Sequence, residues 1–107
     1  MTDPGSLRGA TVRWTFVEPP VAGMKFEHTF REDGSLLWRV LDGPGKGASK
    51  EERRYATMKI ADGVYAVSYL AASGHTLSVV VNFNTGKVVG FGSNSETWYP
   101  LTGTLDR

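Results

Sequence analysis

Apolar residues recur at every second position along most of the chain, and short clusters containing Gly, Asn or Asp interrupt them at fairly regular intervals. That pattern belongs to consecutive β-hairpins, and no segment carries the 3.6-residue period of an amphipathic helix. Strands are predicted near residues 11–16, 24–30, 36–41, 53–60, 64–71, 75–83, 87–93 and 98–105. Eight strands in meander order predict one all-β domain, an antiparallel barrel, because a closed sheet leaves no unpaired edge and about eight strands leave room for one small ligand. Two longer connections, 17–23 with its Pro19-Pro20 and 42–52 rich in Gly, Lys and Ser, read as loops that cover one rim.

Register follows from asking which turn sets like residues against like. A three-residue loop around Glu32-Asp33-Gly34 opposes Phe30 to Leu36, His28 to Trp38 and Phe26 to Val40, with Glu27 meeting Arg39 on the other face. Asp62-Gly63 suits a two-residue type I′ turn, which opposes Ile60 to Tyr65, Met58 to Val67, Ala56 to Tyr69 and Arg54 to Ala71, and leaves Thr57 and Lys59 outside. Ala72-Ser73-Gly74 continues the inner face, with Ala71 opposite His75, Tyr69 opposite Leu77 and Val67 opposite Val79. A two-residue turn at Thr85-Gly86 directs Gly90 and Gly92 inward, where they either leave ligand space or mark a bend.

The inner face then carries Trp14, Phe16, Phe26, His28, Trp38, Tyr65, Tyr69 and His75 among Val and Leu. Aromatic walls with a few polar tips describe a small-molecule pocket; the alternative is that these rings simply fill the barrel. An inward Arg54 would take a carboxylate or phenolate, and otherwise belongs to the solvated charged run 51–54. His75 would serve as acid or base with Tyr69 as hydrogen-bond donor, or else is an exposed histidine beside a turn. His28 is either a hydrogen-bonded core residue or a site residue.

Composition narrows the classes. Twelve Lys plus Arg against eleven Asp plus Glu leave a formal charge of +1, no electrostatic footprint for nucleic acid or an anionic membrane. The 107 residues contain no cysteine, which removes disulfides, thiolate metal sites and a cysteine nucleophile. Two histidines on separate strands without an inward carboxylate do not make a metal site, and no cofactor is expected. Gly43-Pro44-Gly45-Lys46-Gly47 lacks the spacing of a phosphate loop. Residues 1–10 read as a flexible leader before a domain at 11–107, with no apolar run of membrane-spanning length, and a cytoplasmic location is expected.

Val12-Arg13-Trp14-Thr15-Phe16, Lys25-Phe26-Glu27-His28-Thr29-Phe30, Arg53-Arg54-Tyr55, Ala61-Asp62-Gly63-Val64-Tyr65-Ala66-Val67-Ser68-Tyr69 and Val81-Asn82-Phe83-Asn84-Thr85-Gly86-Lys87-Val88-Val89-Gly90 together resemble MoaF-like proteins over most of the chain. The sequence also resembles, more distantly, the barrel of the bacterial phenolic acid decarboxylases. Both resemblances imply a calycin, lipocalin-like barrel. The decarboxylases use two tyrosines one residue apart on the first strand, an arginine beyond the third strand and a glutamate ending the fifth. Here Trp14, Phe16 and Ala71 stand at the tyrosine and glutamate positions, and the neighbourhood 48–50 holds no arginine, so that chemistry is not expected. The MoaF name comes from an association with molybdenum cofactor synthesis, and the sequence has no phosphate-cradling or molybdopterin-specific motif.

The expected function is binding of a small aromatic or lipophilic metabolite in the barrel, as an accessory protein. The alternatives are a cofactor-free lyase or isomerase using His75, Arg54 and Tyr69, and a structural dimerisation module with a filled barrel. Val80, Val89, Phe91 and Leu70 on the outer face suggest a homodimer.

Overall fold

The computed structural model describes residues 7–19 and 21–106; Pro20 of the expected rim loop lies outside them. Nine strands form a single antiparallel sheet: β1 (Thr11–Phe16), β2 (Lys25–Phe30), β3 (Leu36–Asp42), β4 (Ser49–Glu52), β5 (Tyr55–Ala61), β6 (Val64–Leu70), β7 (Thr76–Asn82), β8 (Lys87–Ser93) and β9 (Trp98–Leu105). Their order across the sheet is β4-β3-β2-β1-β9-β8-β7-β6-β5. The sheet curls into a half-barrel, with no helix among the described residues. β4 was not expected; it lies within the predicted loop 42–52, where Ser49-Lys50-Glu51-Glu52 carries no apolar signal.

The end strand β5 bonds across to the β2–β3 connection rather than to β4. The Tyr55 amide donates to the Gly34 carbonyl at 3.1 Å, and the Tyr55 hydroxyl donates to the Arg31 carbonyl at 2.9 Å. Leu7, at 1 % exposure, sits in the core at this seam, so the end of the expected leader is packed rather than free.

The β2–β3 hairpin has the expected register, with Phe30 opposite Leu36, His28 opposite Trp38 and Phe26 opposite Val40. On its outer face Glu27 is 6 % exposed and receives Arg13 Nε at 2.8 Å and Arg39 Nε at 3.0 Å. The Arg39 hydrogen bonds, and then those of Arg13, outweigh burial and hold its carboxyl below the usual range. Tyr69 opposite Leu77 and Val67 opposite Val79 also match expectation.

The β5–β6 hairpin does not. Tyr55 faces Tyr69, Thr57 faces Val67 and Lys59 faces Tyr65, with a shift between Lys59 and Ala61. A type I′ turn needs two left-handed residues, and Gly63 (φ 76°) is left-handed while no non-glycine residue is. Ile60 becomes the extra residue of a bulge, and every side chain before it changes face. Tyr55 and Thr57 therefore sit on the inner alternation, while Ala56 and Met58 point outward.

The β7–β8 connection is four residues long, since Asn82 pairs with Lys87, but the parity is the one expected and Gly90 and Gly92 face inward. Their roles differ. A Cβ on Gly90 would lie 2.0 Å from the Ser78 carbonyl oxygen and 2.5 Å from Val79 Cα, both backbone, so Gly90 lets β7 and β8 approach closely. A Cβ on Gly92 would meet the Tyr99 ring at 2.7 Å, so its space is occupied by a side chain that can move. Gly90→Ala is accordingly expected to destabilise the fold by about 1–3 kcal/mol and Gly92→Ala by less. Urea unfolding of the two variants checks the order, and equal losses would contradict it.

Candidate functional site

Inward side chains pack into two zones. Trp14, Phe30, Leu36, Tyr55 and Tyr65 are all at or below 5 % exposure. They form a filled floor with Leu7, Val12, Val81 and Val88. Toward the rim a cavity of about 170 Å³ remains, lined by Phe16, Val21, Phe26, His28, Trp38, Tyr69, His75, Thr76, Leu77, Gly92, Tyr99 and Leu101. The ends of β1, β6 and β8 and the starts of β2, β7 and β9 supply most of these positions, which is why residues far apart in sequence converge there.

His28 marks the boundary between the two zones. Its ring stacks on Trp14 at 4.4 Å and 10°, and neighbours Phe26 and Phe30 at 5.7 and 5.8 Å. Its Nε2 lies 3.0 Å from the Tyr69 hydroxyl, while Nδ1 has no partner among the described residues. Burial, with no compensating anion, pushes its pKa down to about 3, so the imidazole is neutral at physiological pH. Burial, and then the Glu52 charge, push the Tyr69 hydroxyl well above its usual value, so it too is neutral.

Glu52 is the residue that sequence reasoning missed. At 2 % exposure its Oε2 accepts from Trp38 Nε1 at 2.9 Å and its Oε1 from the Ala72 amide at 3.1 Å. Trp38 is itself a wall of the cavity, so a buried carboxylate is bonded to the rear of that wall. It sits in the charged run that reads as solvated in the sequence, and only the pairing of β4 with Leu36 turns it inward. Tyr99 could have been found from the alternation Tyr99, Leu101, Gly103, Leu105.

Of the predicted site residues, Phe16, Phe26, His28, Trp38, Tyr69 and His75 line the cavity. Trp14 and Tyr65 belong to the floor; Tyr65 packs edge-on against Phe83 at 6.0 Å. Arg54 is exposed and lies in a shallow surface depression with Arg53, Ala56 and Ser68. The bulge in the β5–β6 hairpin removes it from the inner face. His75 is exposed at the mouth and its Nδ1 lies 3.1 Å from Ser73 Oγ. No group of three His, Asp or Glu suited to a metal occurs among the described residues.

The MoaF-like family model matches residues 10–106. The chain belongs to the MoaF-like family. Among solved structures, a Burkholderia vietnamiensis protein whose crystal structure is provisionally described as a beta-lactamase is similar. It has a TM-score of 0.77 and 23 % identity over 99 % of this chain and 98 % of that one, and at that identity the likeness concerns the fold alone. No curated protein matches. No helix among the described residues is long and apolar enough to cross a membrane.

A neutral buried histidine has a pH signature. Its pKa is depressed on folding, so the unfolded chain binds the proton first as pH falls below about 6.5. Stability is then lost progressively toward pH 3, at up to about 1.4 kcal/mol per pH unit. His28→Phe, which keeps a ring in the stack, is expected to flatten this slope between pH 6.5 and 4.5 in urea unfolding; an unchanged slope would show that His28 is not its source.

Proposed function

We propose that this MoaF-like chain is a small-molecule binding protein whose rim cavity encloses one compact molecule with an apolar surface, of the size of a single aromatic ring. The observation that carries the reading is the cavity beside His28. Aromatic and aliphatic side chains wall it, and the buried His28 imidazole at its base has no partner for Nδ1 among the described residues. A cavity of about 150 Å³ in a protein core accepts benzene, so 170 Å³ suits a ring of that size and excludes the larger ligands of open lipocalin-like barrels. In finer detail, the sheet is read as a calycin-type barrel in which residues 7–10 and the Tyr55 bonds stand in for a ladder between β4 and β5.

The charge of the walls sharpens the reading. Among the described residues no Lys or Arg lines the cavity, and Arg54, the expected anion anchor, is exposed on the outer side. A lyase or isomerase acting on a carboxylate loses its anchor with that residue. Neutral molecules are favoured over anionic ones.

Titration of toluene, phenol and benzoate while following tryptophan emission tests this. Toluene and phenol are expected to saturate, with benzoate at least tenfold weaker, and Leu77→Trp, which places an indole in the cavity, is expected to abolish the response without unfolding the protein. Absence of saturable binding by any compound of single-ring size, charged or neutral, would overturn the proposal in favour of a filled interior.

A further inference from the structure

We infer that the molecule held in the rim cavity is a small organic cation carrying its charge on a methylated nitrogen, recognised by the rings of Phe16, Phe26, Trp38, Tyr69 and Tyr99 and by the Glu52 carboxylate behind Trp38. This rests on the cavity reading above and adds the charge of the ligand.

Glu52 forms no ion pair among the described residues, and its two oxygens accept from an indole N–H and one backbone amide. Buried carboxylates are costly unless a cation or a full set of donors accompanies them. Lys50, which pairs with Trp38 across the β3–β4 ladder, is exposed and is not bonded to Glu52. Glu52 borders a surface depression with Arg53 and Ala72 and reaches the cavity through the Trp38 indole N–H from which it accepts, so a cation in the cavity is felt through that ring.

The carboxylate also conditions the wall in front of it. Accepting from Trp38 Nε1 places negative charge at the edge of the indole and makes its face a better partner for a cation, and aromatic cages of this kind hold quaternary ammonium groups. The effect on the Tyr69 hydroxyl shows that the Glu52 field reaches a second wall residue. Neutral His28 sets no competing charge at the base. A trimethylammonium head is close to benzene in bulk, so the volume that accommodates one accommodates the other.

Choline, its uncharged carbon isostere 3,3-dimethylbutan-1-ol and the anion 3,3-dimethylbutanoate separate charge from shape. Calorimetric titration is expected to give choline at least tenfold higher affinity than the alcohol, with the anion weakest. Glu52→Gln is expected to bring choline to within about threefold of the alcohol, whose retained binding shows that the variant is folded. If the alcohol binds wild type as tightly as choline, or ring compounds bind and choline does not, the cation inference is overturned while the cavity reading stands. If choline, the alcohol, toluene and phenol all fail to bind, the cavity reading itself falls.

Discussion

The contact between His28 and Tyr69 organises the interior. It joins β2 to β6 across a sequence separation of 41 residues, between the two halves of a sheet whose end strands share no ladder among the described residues. With the imidazole stacked on Trp14 beneath the cavity, it separates a close-packed floor from an open rim. A leucine at this position would pack as well but would leave the Tyr69 hydroxyl buried without a partner, a cost on the order of 1–3 kcal/mol. The polar pair is thus a structural tie and the base of the site at once.

The charges of the molecule are arranged around that tie. Outside, Glu27 is shared by Arg13 and Arg39 and clamps β1, β2 and β3 together. Inside, Glu52 has hydrogen bonds but no counter-ion among the described residues, and it comes from a four-residue strand at the end of the sheet. The same residue type is ion-paired on one face and only hydrogen-bonded on the other, and the proposed preference for a cation rests on that asymmetry.

How much of this was legible depended on whether a local signal fixed the register. In β2–β3 the Glu27–Arg39 pair and the apolar alternation agree on one turn length, and the hairpin read correctly, with His28, Phe26 and Trp38 in place. In β5–β6, Asp62-Gly63 fits more than one turn. A type I′ turn there would shift the strand by one residue, turning Tyr55 outward and Arg54 inside, whereas the bulge at Ile60 does the reverse. The ladder from Val64 onward was unaffected, so Tyr69 was still found. Glu52 was illegible because a single inward carboxylate in a charged stretch has no periodic signature. The family resemblance was legible from the strand segments, and the half-barrel with its nine strands refines the simple eight-strand meander.

Pressurising crystals with xenon tests whether an apolar void persists at the rim above a filled floor. One xenon atom is expected among Phe16, Phe26, Leu77 and Leu101, and none among Trp14, Phe30, Leu36 and Tyr55. Xenon in the floor, or no xenon at the rim because the aromatic rings close over the space, would contradict that arrangement.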